Sequence, residues 1–220
     1  MIIGISGYSG SGKDLAGTII QEISLNKWEV KKWAGKLKTM ASILTGIPVE
    51  KFEDQEFKKT ELGPEWSSLK MRPGKRQDGI FPKKQDMQLV PMTVRDLLQK
   101  LGTDAIRDGL HTNAWVNAVM ADYKKQSSEC GTSKMGTTVN CVDYPNWIIT
   151  DTRFPNEAEA IKKAGGIVIR INRPGVQPIN PHPSGTSLDN WSFDAVINND
   201  SQIDDLIQKI RVVLYKHQIM

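Results

Sequence analysis

The run Gly7-Tyr8-Ser9-Gly10-Ser11-Gly12-Lys13-Asp14 has the G-x-x-x-x-G-K spacing of a phosphate-binding loop, with Asp14 where serine or threonine is usual. Glycines allow consecutive backbone N–H groups to converge on one anion, and a helix starting behind them adds its positive end. Lys13 supplies a cation for the outer phosphates of a nucleotide. Asp14 offers a carboxylate oxygen instead of a hydroxyl, suited to holding magnesium directly or through water. The competing reading is a glycine-rich turn with an exposed lysine.

A second set of candidates stands farther along the chain. Asp151 follows an apolar run, the place where a strand delivers a carboxylate to the metal of a phosphate-loop enzyme, and Arg153 stands just beyond as a phosphate-binding cation. A salt bridge at the start of the next helix is the structural alternative. Phosphoryl transfer asks for positive charge around the moving group rather than covalent chemistry. Arg170 falls inside an apolar strand and is expected to point outward. Arg173, which opens a Pro- and Gly-rich loop able to close over substrate, is therefore preferred. In VRDLLQKLGTDAIRD, Arg95, Gln99, Thr103, Asp104 and Arg107 recur at helical spacing opposite Leu97, Leu98 and Leu101. They form either a solvated face or an acceptor site in which Arg95 and Gln99 bind a second phosphate. His182 and Ser184 in PHPSG fit a substrate loop or a plain turn equally well.

These residues need a scaffold. Apolar runs alternate with helical periodicity, which predicts a parallel α/β sheet. Strands are expected over 1–6, 28–34, 147–150, 167–171 and 193–197, and helices over 13–26, 37–44 and 203–214. Thr93 is expected to cap a helix running through Leu101, Asn113 one carrying Trp115, and Asn156 one stopped by Gly165 and Gly166. The stretch 49–91 is polar and interrupted by Pro64, Pro73, Pro82 and Pro91, so it reads as an insertion or flexible flap rather than a core layer. Residues 127–140, rich in Ser, Thr and Gly, read as a loop.

Composition narrows the function classes. A chain of 220 residues suffices for one well-cored domain with a small lid, and 39% hydrophobic with 25% charged residues is globular usage rather than disorder. No apolar run reaches the ~18 residues of a membrane helix. The opening MIIGISGYSGSGKD lacks the pattern of a secretory leader, so a cytoplasmic protein is expected. Cys130 and Cys141 have no neighbouring ligand set and read as reduced and incidental. A net charge of +4 suits a phosphate-bearing ligand and is too mild to establish nucleic-acid binding. Lys70, Arg72, Lys75, Arg76, Lys83 and Lys84 accordingly read as a solvated loop.

The order SGKD, WAGKLK, VRDLLQKLGTDAIRDGLHTNAWV, ITDTRFPNEAEAIKKAGGIVIRINRPG and FDAVINNDSQIDDLIQKI resembles the bacteriophage-type deoxynucleoside monophosphate kinases over most of the chain outside 64–91 and 127–140. The joint presence of LGTD, DTR and a late VINND is far more specific than the phosphate loop alone. The resemblance implies an α/β P-loop NTPase fold, a three-layer sandwich with a parallel central sheet. It implies a single kinase domain over 1–220, with a helical acceptor-side insertion in 49–91 and a short lid over 173–190. The implied reaction is ATP- and magnesium-dependent transfer of the γ-phosphoryl group to a deoxynucleoside 5′-monophosphate. By the same resemblance the catalytic residues are Lys13, Arg95, Asp151, Arg153 and Arg173. Gly7, Gly10, Ser11, Gly12, Lys13 and Asp14 hold the ATP phosphates, and Asn198, Asn199 and Asp200 lie near the ATP base. Arg95, Gln99, Gly102, Thr103, Asp104 and Arg153 face the acceptor, and Asp14 and Asp151 face the metal. Leu15, where many relatives have threonine, and Gly185, where an acidic residue is common, depart from the pattern. The implied partner is a small nucleotide rather than a membrane or nucleic acid, in the host cytoplasm if the source is viral, and a homodimer stays open. A kinase like dephospho-coenzyme A kinase and a non-catalytic nucleotide-binding module are the rivals.

Overall fold

Isoleucine-rich runs build the sheet. The structure is a computed structural model that describes residues 1–73, 86–132, 138–177 and 186–219, with the backbone alone for 128–132 and 138–141. In chain order the first elements are β1 (Ile2–Ser6), α1 (Lys13–Ile23), β2 (Trp28–Lys31), α2 (Gly35–Thr45), β3 (Ser68–Met71), β4 (Met87–Val90), α3 (Val94–Gln99) and α4 (Ala114–Met120). They continue with β5 (Gln126–Thr132), β6 (Thr138–Asp143), β7 (Asn146–Ile149), α5 (Pro155–Lys163), β8 (Ile167–Asn172), β9 (Ala195–Asn198) and α6 (Ile203–Lys216). The described residues fall into two compact units, Met1–Gly35 with Trp115–Met220, and Lys36–Ala114.

The first unit holds the five-stranded sheet, ordered β2-β7-β1-β8-β9 with every pair parallel. At its centre Ile3 faces Ile148 on one side and Ile167 on the other. All of β1 is buried, as a strand covered on both faces must be. Successive side chains divide between those faces. Ile3 and Ile5 pack with Ala16, Ile19 and Ile20 of α1 and Leu206, Ile210 and Leu214 of α6. Ile2 joins Trp147, Ile149 and Val168 against Val116 and Val119 of α4 and Ala158 and Ile161 of α5. Three layers follow from that period-two division, as expected. The chain leaves β1 through α1 toward β2, while β8 flanks β1 on its other side. The carboxyl end of β1 is thus a topological switch point, where α/β folds gather ligands.

The second unit has a smaller core. Phe52 is fully buried with Ala41, Val94 and Leu97, and Phe57, Leu62 and Trp66 pack against them. The residues after α2 form three short 3-10 turns, Val49–Glu53, Phe57–Lys59 and Pro64–Trp66, then the antiparallel pair β3 and β4. The described part of 49–91 therefore contributes Phe52 to the core of the second unit, with its partly buried aromatics Phe57 and Trp66 packed against it. Lys75, Arg76, Lys83 and Lys84 lie outside the described residues.

Other expectations shift for identifiable reasons. Residues 126–132 and 138–143 pair as the hairpin β5–β6 instead of a loop, with Thr and Val favouring the extended chain. The helix expected from Asn156 begins at Pro155, whose fixed φ suits the first helical position, and Phe154 takes the cap position. Helix α1 ends at Ile23 because Ser24 turns to extended geometry. No helix of the described residues is long and apolar enough to cross a membrane.

Candidate active site

The phosphate loop joins β1 to α1. Gly10 and Gly12 take φ of +83° and +94°, left-handed values that favour glycine. Gly12 occupies the N-cap without a side-chain hydrogen bond, so the first N–H groups of α1 stay available to an anion. Ser11 is 1% exposed, its hydroxyl has no partner among the described residues, and its N–H donates to the Tyr8 carbonyl at 3.1 Å. Its side chain is thus a prop beneath the loop.

Asn199 supports the same turn from β9. Its backbone N–H donates to the Asn172 carbonyl at 2.7 Å and its side-chain amide to the Ser11 carbonyl at 3.0 Å. A Cβ on Gly12 would meet that amide nitrogen at 2.5 Å, a second reason for glycine there. The neighbours of Asn199 are held by Lys209, whose ammonium donates to the Asn198 carbonyl at 2.9 Å and the Asp200 carboxylate at 2.8 Å. That hydrogen bond lowers the Asp200 pKa and raises that of Lys209.

Charge collects around Lys13. Its ammonium donates to the Tyr8 carbonyl at 3.4 Å. Burial lowers its pKa and the charges of Arg153 and Lys32 push the same way, while Asp14 and Asp151 oppose them. Asp14 accepts a hydrogen bond from the Thr150 hydroxyl at 2.7 Å and lies 3.9 Å from the Lys32 ammonium. The Asp151 carboxylate accepts from the backbone N–H of Trp33 at 2.8 Å and of Ala34 at 3.1 Å. Those bonds explain why β2 stops at Lys31 instead of running to Ala34: two of the donors that would continue it serve Asp151. A salt bridge from Arg153 into α5 does not form among the described residues. Glu157 instead accepts from the backbone N–H groups of Arg153 and Phe154, at 2.7 and 3.1 Å.

Arg170 does not point outward. It is 7% exposed, and its guanidinium donates to Ser6 and Asn172 at 3.3 Å each and to Asp189 at 3.0 Å. The other oxygen of Asp189 accepts from the Tyr8 hydroxyl at 2.9 Å. Burial raises the Tyr8 pKa, and the hydrogen bond and charge of Asp189 add to it against Arg170. In a sheet covered by helices on both faces neither parity of a strand points to water, so Arg170 had to be inward. The pattern IVIRIN, apolar at both parities, is the signal that sequence reasoning passed over. Arg173 is exposed in the turn after β8.

Apart from Arg153, which is in the first unit, the acceptor-side candidates lie in the second unit. Thr93 and Asp96 form a reciprocal capping box at the start of α3, as Thr93 predicted. Arg95 and Gln99 are exposed on α3, one turn apart. The shared face does not continue beyond them. Lys100–Asp108 is a π-helical stretch, so Thr103, Asp104 and Arg107 drift off the line that α-helical spacing gave them. Thr103 is half-buried, Asp104 exposed, and a Cβ on Gly102 would press on Leu37 at 2.9 Å. His182, Ser184 and Gly185 lie outside the described residues, as do the side chains of Cys130 and Cys141.

Among the described residues no cluster of three or more His, Cys, Asp or Glu forms a metal cage. Asp14 and Asp151, both acting on Lys13, are oxygen donors of the type that magnesium takes when phosphates complete its shell. The donor chemistry fits the ion.

Comparison with known proteins identifies a family. A family model described as deoxynucleotide monophosphate kinase matches residues 70–210. A protein of Acanthamoeba polyphaga mimivirus, provisionally named a deoxynucleotide monophosphate kinase, is 30% identical over 219 residues, covering 96% of this chain and 94% of its own length. The deoxynucleotide monophosphate kinase of Enterobacteria phage T4 is 30% identical and that of Escherichia phage RB69 27% identical, each over 122 residues, 56% of this chain and 45% of the phage protein. With its parallel sheet, its uncapped helix behind a glycine loop and this match over most of its length, the chain belongs to the deoxynucleotide monophosphate kinase family.

Proposed function

We propose that this chain transfers the γ-phosphoryl group of ATP to a deoxynucleoside 5′-monophosphate, with magnesium, in the host cytoplasm of a virus. The observation that carries the reading is Lys13 at the uncapped start of α1, half-buried and flanked by Asp14, Asp151 and Arg153. A cation whose charged form is disfavoured by burial gains most when phosphate charge arrives beside it.

The residue roles follow. The backbone of Gly7, Gly10, Ser11 and Gly12 cradles the donor phosphates, with Asn198, Asn199 and Asp200 behind them on the base side. Lys13 neutralises the outer phosphates. Asp14 and Asp151 hold the magnesium ion, which when bound neutralises phosphate charge. Arg153 faces the transferring group, and Arg173, in the turn after β8, supplies a second cation to it; most of the expected lid, residues 178–185, lies outside the described residues. Arg95 and Gln99 bind the acceptor phosphate, with Gly102, Thr103 and Asp104 on the same acceptor side.

The test is ADP production, measured by a coupled assay, across deoxynucleoside and ribonucleoside monophosphates with dephospho-coenzyme A as the rival acceptor. Turnover that prefers deoxynucleoside over ribonucleoside monophosphates supports the assignment. Turnover with dephospho-coenzyme A, or ATP binding without transfer to any acceptor, overturns it.

A further inference from the structure

We infer that Thr150 is the positioning residue for the Asp14 carboxylate, and through it for the divalent cation of the donor nucleotide. The inference rests on the metal role given to Asp14 above. The loop places a carboxylate where a hydroxyl usually stands, and a carboxylate brings a problem that a hydroxyl does not. Its side chain has an extra rotatable bond, and here it is 66% exposed, so water alone would leave its oxygens unoriented. Among the described residues its carboxylate accepts a single hydrogen bond, from the Thr150 hydroxyl at 2.7 Å, while Lys32 at 3.9 Å is beyond hydrogen-bond range.

Thr150 is well placed to act as a fixed donor. It is 1% exposed and follows β7 directly, so the sheet sets its backbone. Its methyl group packs on α1 at Gly17, where a Cβ would approach it to 2.7 Å. One branch of the threonine thus rests on Gly17 and the other reaches Asp14, one turn earlier on the same helix face. That two-point contact selects a single χ1 rotamer. The threonine also stands next to Asp151, so the two carboxylates assigned to the metal are registered by one short run of backbone. A carboxylate has about four lone-pair sites, so after accepting from Thr150 it keeps enough for a cation. Outer partners that orient a ligating carboxylate are typically worth 10–100-fold in metal affinity.

The test uses Thr150→Val, which keeps the shape and removes the donor, and Thr150→Ser, which keeps the donor. Manganese binding to the enzyme–ADP complex is titrated by electron paramagnetic resonance, ADP binding is measured without metal, and thermal unfolding reports the fold. Thr150→Val should weaken manganese binding about tenfold or more and raise the magnesium requirement of kcat, with metal-free ADP binding unchanged; Thr150→Ser should restore manganese binding. If the valine variant does not fold, Thr150→Ala replaces it, with the same loss expected. Asp14→Asn separates the two readings. If it leaves manganese binding intact, the metal role of Asp14 fails. If it abolishes binding while Thr150→Val and Thr150→Ala do not weaken it, the role of Thr150 alone is overturned.

Discussion

The Arg170 guanidinium lies 4.6 Å from the ring centroid of Tyr8, and both groups are fastened to the one carboxylate of Asp189. A phosphate-loop residue is thereby tied to β8 and to the chain around Leu188, which is buried with Trp191 and Phe193 against the sheet. Cutting this tie leaves a carboxylate without its cation. A fully buried pair so broken costs about 3–5 kcal/mol. Asp189 is 33% exposed, so Arg170→Ala should cost roughly 2 kcal/mol. Urea unfolding checks it, and an unchanged midpoint would show that the network carries no stability.

Lys13→Met should separate activity from stability. Burial holds the Lys13 pKa below its ordinary 10.5, so below the folded pKa the native state carries a charge that the unfolded chain accommodates better. That penalty is fully present below the folded pKa and is relieved as pH rises through the folded pKa toward the ordinary value. Removing the charge should lower kcat about a hundredfold or more, yet raise rather than lower the melting temperature of the ligand-free protein. Steady-state rates and melting curves without nucleotide decide it, and a normal kcat in the folded variant defeats the assignment.

Arg95→Lys tests the acceptor side. A planar guanidinium grips phosphate with two parallel N–H donors, which an ammonium does not reproduce, so the acceptor KM should rise about tenfold with ATP binding nearly unchanged. A change in ATP affinity instead would place Arg95 elsewhere.

Thr93→Val should remove the capping box of α3 at a cost of about 1 kcal/mol. Hydrogen bonds from the Thr93 side chain and then its backbone lower the Asp96 pKa. That stabilisation is present above the unfolded carboxylate value of 3.8 and is lost as pH falls through the folded one. The variant should therefore lose less stability on acidification than the parent, as denaturant midpoints from neutral pH to pH ~3 will show.

Phe52→Ala empties the centre of the smaller core, and a buried phenylalanine so truncated costs about 3–5 kcal/mol. Calorimetry should show the loss; a shift below about 1 kcal/mol would mean that the stretch after α2 is a flap after all.

Where one physical rule governs, the sequence was a good guide. The phosphate loop, the parallel strands and the Thr93 cap were legible because glycine spacing, apolar runs and capping chemistry each act over a few residues. Position 170 was not, because inward and outward have no meaning on a strand until both covering layers are known. Trp33 and Ala34 looked like strand and were drawn off by Asp151, 118 and 117 residues away. The Arg95 face broke where the helix widened at Lys100, which residue spacing counted at 3.6 per turn does not register. Phe52 was hidden by its polar and proline-rich neighbours, although a single aromatic is enough to seat a turn.

The hydrogen bond from Asn199 to the Ser11 carbonyl joins residues 188 positions apart. A ribosome adding 5–20 residues per second makes the loop about 10–40 s before it makes the strut beneath it. Over that interval a nascent chain carries the glycine loop without the hydrogen bond that Asn199 gives to its Ser11 carbonyl. The strut that fixes the Ser11 carbonyl can therefore form only after Asn199 has been made, long after the loop itself.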